Sequence, residues 1–185
     1  AYGFVEFHSN TYYEEDVAPL SLLIDFAAEP FLAGQATMLL DLLLLDMALH
    51  SFQGFFCAAS GRCYEKQKKD PRGQDVLDIM HKAFGTGESR QYDYTRLSAD
   101  FILNKTYRVA QAIRAIAREQ GPMVIRDSMG LDLSEIRREF GDRDDIEDTG
   151  MFLWAMEAFS NVESVRLTMR MFKKWKLQDN TFLKN

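Results

Sequence analysis

The 185 residues hold only two cysteines, no surplus of positive charge, no convincing run of alternating apolar and polar residues and no fixed internal repeat. Each absence excludes something. Cys57 and Cys63 lie six apart around Gly61, so one loop-closing disulfide or two free thiols fit equally well. Neither cysteine shows the Cys/His spacing of a zinc site, so no metal and no cofactor is expected. A net charge of −6 argues against nucleic acid or an anionic membrane as the main partner. The basic residues that do cluster, Lys66, Lys68, Lys69 and Arg72, are flanked by Glu65 and Asp70 and read as a solvated loop. The apolar run 38–49 has about half the length of a membrane span and is interrupted by Asp41 and Asp46, which predicts a buried helix and no membrane insertion. Without alternation, sheet is confined to a few residues at 3–8, and without a repeat a regular solenoid is disfavoured.

What is present is helical. Apolar residues make up 46% of the chain and aromatics 12%, enough for a packed core and too much for general disorder. Val17, Leu20, Leu23, Ile24 and Ala27 recur at helical spacing and predict a helix over 12–28, bent or started by Pro19 and stopped at Glu29-Pro30. Residues 31–53 are apolar almost all round and predict the most buried helix, ending at Gly54. A loop over 54–73 precedes a helix at 74–84 that closes at Gly85. Residues 95–119 fit one long helix or two pieces broken near Asn104, stopped by Gly121-Pro122. Further helices are predicted at 133–140, from Asp145 to about 160, and at 162–176. The whole is an all-α chain of antiparallel helical hairpins, a single domain over 1–185. It does not begin with Met, residues 1–7 read as the middle of an element, and no signal peptide pattern is visible. A segment of a longer polypeptide is therefore expected, with localisation left open.

The densest chemistry lies at residues 6–15, EFHSNTYYEE. Thr11 and Glu14 read as a capping box opening the first helix. If the segment before it is extended, Glu6, His8 and Asn10 share one side, with Tyr12 and Tyr13 at the helix start. A His or Tyr beside a neutralising Asn or Arg can take a proton next to a carboxylate, and a Tyr can return one to a leaving oxygen. The bland alternative is a capped helix whose aromatics fill the core and whose histidine satisfies a backbone carbonyl. In Ser60-Gly61-Arg62-Cys63-Tyr64, Arg62 can hold a carboxylate or sulfate and Tyr64 can stack on a sugar, unless Arg62 merely pairs with Glu65 or Asp70. A helix out and a helix back return the chain to where it started, so residues near 10 and near 60 should be neighbours. Asp46 and His50 lie one turn apart and form either a catalytic pair or a satisfied buried one; Asp41 is too far round to share their face. The acidic run Asp142, Asp144, Asp145, Glu147, Asp148 lacks the Gly and Glu of a calcium loop. Phe152, Trp154 and Phe159 are spaced for a helix core, or for a sugar platform if Trp154 is exposed.

EFHSNTYY, LLLDLLLLDMALHSF, GRCY and MFLWAMEAFSN, in that order, resemble the helical-toroid region of large bacterial proteins, either carbohydrate-active or uncharacterised. These are similar to the (α/α) barrel polysaccharide lyases and glycoside hydrolases. The resemblance implies part of an (α/α) toroid that binds and cleaves a poly- or oligosaccharide. It implies His8, Tyr12 and Glu6 as catalytic groups, and Asn10, Tyr13, Arg62 and Tyr64 as substrate-binding ones. The alternative is a non-catalytic helical scaffold or protein-interaction module.

Overall fold

The computed structural model describes residue 4 and residues 6–86, 92–119, 121–127 and 162–180. The helices expected at 133–140 and 145–160, the acidic run 142–148 and the aromatics Phe152, Trp154 and Phe159 lie outside the described residues. The chain is mostly helical. It divides into two compact units, residues 6–126, and residues 1–5 together with 127–185.

In the 6–126 unit, α1 (Tyr13–Phe26) and α2 (Pro30–Leu49) form the central hairpin. Pro30 opens α2 with its φ already helical, and the residues behind it are mostly Leu, Ala and Met, all strong helix formers. Leu40, Leu43, Leu44 and Met47 are wholly buried, each contributing about 1.5–3 kcal/mol by leaving water. Its all-round apolar character implied burial on more than one side, and that expectation is corrected. Phe31, Leu32, Met38, Leu39 and Leu42 are exposed, because the described elements packed on α2 cover one face. Extended back to Pro30, α2 is also long and apolar enough, by length and composition, to cross a bilayer, which the shorter run 38–49 is not.

The helix stops at Leu49, earlier than expected. Gln53 and Gly54 both take left-handed φ values, 50° and 84°, as the two central residues of a tight hairpin turn require. They join β1 (Ser51–Phe52) to β2 (Phe55–Phe56), with Ser51 opposite Phe56 and Phe52 opposite Phe55. The expected loop 54–73 thus contains a strand, then α3 (Glu65–Lys69) and a 3₁₀ turn (Pro71–Gly73). The helix at 77–84, α4, ends on left-handed Gly85 as expected. Residues 95–119 resolve into two pieces, α5 (Ser98–Leu103) and α6 (Gln111–Ala117). In the other unit, α7 (Val162–Trp175) runs to a left-handed Lys176 and a 3₁₀ turn at Leu177–Asp179.

The break between α5 and α6 is held by side chains. Asn104 Nδ2 donates to Ser21 O at 2.7 Å, and the Asp25 carboxylate accepts from the backbone N–H groups of Lys105 and Thr106, both at 3.0 Å. Tyr107 OH donates to Asp41 Oδ1 at 2.6 Å, which ties the connector to α2. Backbone groups that no helix can satisfy are satisfied here by the hairpin. Burial, then the hydrogen bond and charge of Asp41, push the Tyr107 phenol far above its ordinary value. Because the folded value exceeds the unfolded one of about 10, the tie stabilises fully below about pH 10 and is lost as the pH rises. Urea unfolding followed between about pH 8 and 11 should show stability falling by up to ~1.4 kcal/mol per pH unit at the alkaline end from this group. Tyr107→Phe should flatten that limb, and an unchanged slope would refute the assignment.

Candidate functional site

The turn at residues 6–12 and the loop at 57–64 meet at the open end of the α1–α2 hairpin. Gly61 N donates to Phe7 O at 2.9 Å, and a Cβ at Gly61 would lie 3.3 Å from Glu6 Cα, so only glycine allows this approach without displacement. The segment is not extended. Glu6 and His8 have φ values of 54° and 52°, a left-handed conformation that costs a non-glycine residue about 1–2 kcal/mol. Such strain persists only where surrounding contacts impose it. The expectation that Glu6, His8 and Asn10 share one side therefore fails: they enter different layers.

The outer layer holds Glu6, Tyr12, Arg62 and Tyr64. Tyr12 OH lies 2.7 Å from Tyr64 OH, and Arg62 Nη1 donates to Tyr12 OH at 3.3 Å while the guanidinium sits 5.2 Å from the Tyr12 ring centroid. Arg62 pairs with Glu6 at 3.4 Å, not with Glu65 or Asp70, which engage Lys69 and Arg72. The Tyr12 hydrogen bond, then Glu6, push the Arg62 guanidinium further up, and the same Tyr12 contact raises the Tyr64 phenol. Asp16 is raised by burial, then by Glu15 and Glu6. This carboxylate feels Glu6 from within α1, and no spacing in the sequence singles it out.

The inner layer is built on Asp46. His8 Nε2 lies 3.2 Å from Asp46 Oδ1, His50 Nδ1 lies 3.3 Å from the same oxygen, and Tyr13 OH donates to Oδ2 at 2.8 Å. The Tyr13 oxygen in turn accepts the His8 backbone N–H at 2.7 Å. Burial would raise the Asp46 carboxyl. Hydrogen bonds from His50 and Tyr13 and the charges of His8 and His50 outweigh it and hold the carboxyl below the usual range. The two imidazoles lie 4.0 Å apart between centroids, and Phe56 closes on both.

Three of the expected site residues are buried. Tyr13, expected to bind substrate, has no exposed surface and serves Asp46 instead. Asn10, expected beside it, is buried, with Nδ2 donating to Cys63 Sγ at 3.2 Å and its carbonyl accepting from Asp75 N at 3.0 Å. His8, expected to act on substrate, is buried with Nδ1 3.1 Å from Ala59 O. The bland reading of a histidine on a backbone carbonyl therefore holds for that nitrogen. Cys57 and Cys63 are free thiols. No capping box forms at α1: Thr11 donates to Gln67 Oε1 at 2.8 Å and Glu14 accepts from Arg96, leaving Ser9 Oγ to take the Tyr12 N–H at 2.9 Å.

Two supporting residues escaped sequence reasoning. Buried Gln67 accepts from Thr11 and Tyr64 N and donates to Asp75 Oδ2 at 2.8 Å, joining both loops to the segment entering α4. Arg96 bridges Glu14 at 3.1 Å and Asp75 at 2.8 Å. Neither stands in a local pattern, and only the tertiary fold reveals them. Set against known protein families, curated proteins and solved structures, the chain matches none.

Proposed function

We propose that the chain is the helical-hairpin part of an (α/α) toroid that binds an acidic polysaccharide and cleaves it by elimination. The observation that carries this reading is the Tyr12 phenol, held between the Arg62 guanidinium and the Tyr64 phenol where the outer layer meets solvent. A uronate carboxylate that displaces Glu6 from Arg62 would be neutralised there, which acidifies the adjacent C–H. Tyr12, as phenolate, takes that proton and returns it to the departing glycosidic oxygen, and Tyr64 stabilises the phenolate through its hydrogen bond. Before substrate arrives, Glu6 occupies Arg62 and holds it beside the Tyr12 ring. The exposed apolar face of α2 suits a toroid, in which the next helical hairpin of a longer polypeptide would cover it.

Titration calorimetry of the protein with acidic and neutral oligosaccharides of equal length tests the binding half. The acidic series should bind, and Arg62→Ala should weaken it by about tenfold or more, the loss of one charge-assisted hydrogen bond. Equal affinity for both series, or none for either, would favour the non-catalytic scaffold.

A further inference from the structure

We infer that His8, Asp46 and His50 form a binding site for a divalent transition-metal ion, Zn²⁺ being the ion their donor set suits best. The inference is independent of the polysaccharide reading, which uses the outer layer. Two imidazole nitrogens and one carboxylate oxygen are a borderline-soft donor set, suited to Zn²⁺ and poorly suited to Ca²⁺ or Mg²⁺. Each residue offers a ligand atom within 4.8 Å of those of the others. Metal–ligand bonds of about 2.0–2.1 Å at tetrahedral angles place neighbouring donors about 3.3–3.4 Å apart. The His8 Nε2 to Asp46 Oδ1 distance is 3.2 Å.

The surroundings are those that orient metal ligands. His8 Nδ1 lies 3.1 Å from Ala59 O, which leaves Nε2, 3.2 Å from Asp46 Oδ1, as the atom to give an ion, while His50 faces the same carboxylate oxygen through Nδ1 at 3.3 Å. Tyr13 donates to Asp46 Oδ2 and thereby turns Oδ1 toward the imidazoles. The side chains of His8, Asp46 and His50 are largely buried and retain 10%, 11% and 10% of their surface. A strained φ of 52° at His8 is the backbone cost of bringing that ring onto α2.

The test uses protein stripped with a chelator and titrated with Zn²⁺ and with Co²⁺. One equivalent should bind, and Co²⁺ should develop the intense visible absorption of a low-coordinate nitrogen–oxygen site. His50→Ala and His8→Ala should each weaken binding at least tenfold, whereas His81→Ala should leave it unchanged. If a variant fails to fold, long-range ¹H–¹⁵N spectra of the unaltered protein decide. The chain has three histidines, and Zn²⁺ should shift the ring nitrogens of His8 and His50 while those of His81 stay put. No uptake, uptake undiminished in His50→Ala, or unshifted His8 and His50 nitrogens would each overturn the inference.

Discussion

Asp46→Ala, measured by urea unfolding in the presence of a chelator, should lower the unfolding free energy by about 3–5 kcal/mol, the usual cost of removing one partner from a buried ionic cluster. The substitution removes the acceptor of the Tyr13 O–H and the carboxylate that two imidazoles share. Asp46→Asn should cost less, since an amide oxygen can still accept from Tyr13. A matched change at the surface, Glu65→Ala, removes an exposed pair with Lys69 and should fall within about 0.5 kcal/mol of the starting protein. Acid should act in the same direction as Asp46→Ala. The folded carboxyl titrates below its unfolded value, so its contribution is present above about pH 4 and disappears as the pH falls through the folded value. A loss under about 1 kcal/mol for Asp46→Ala would mean that the cluster does not organise the unit.

The largest effect on activity should come from Tyr12→Phe. Turnover of an acidic polysaccharide should fall by about 10²-fold or more, the scale of losing a proton-transfer group, while the melting temperature barely moves. The ring stays in place under Arg62, and only the hydroxyl shared with Tyr64 is lost. His8→Ala should show a different signature. Its ring is buried against Asp46, His50 and Phe56, so stability should drop whether or not catalysis depends on it. Measuring turnover and melting temperature on both variants separates a reacting group from a supporting one. Tyr12→Phe with full turnover would remove the outer layer from consideration.

How much of this was legible depended on whether a residue's role is decided locally. The helices at 13–26, 30–49 and 77–84 follow from apolar spacing, Pro30 and Gly85, all local signals. The meeting of the 6–12 turn with the 57–64 loop follows from the length of one helical hairpin. Asp46 with His50 was visible as a one-turn pair, but His8 joins them only because two left-handed residues turn the chain inward. No propensity predicts left-handed Glu6 or His8, because tertiary contacts impose the conformation. The capping box failed for a related reason: Thr11 and Glu14 have stronger distant partners in Gln67 and Arg96. Periodicity likewise could not show which face of α2, apolar all round, the described elements leave exposed, since coverage is a property of the neighbours.

The two acids of α2 have a consequence that reaches back to synthesis. Pro30–Leu49 is long and apolar enough, by length and composition alone, to cross a bilayer, a test that the core helix of a soluble protein also passes. Asp41 and Asp46 stand in its second half, and a carboxylate near the middle of an inserting helix costs about 2.5–3.5 kcal/mol on insertion scales. Until Tyr107 and His8 reach them, these side chains raise the cost of placing the segment in lipid. The same carboxylates later fix the connector and the inner layer. Their exchange for leucine would remove two tertiary anchors and lower the cost of moving this segment into lipid.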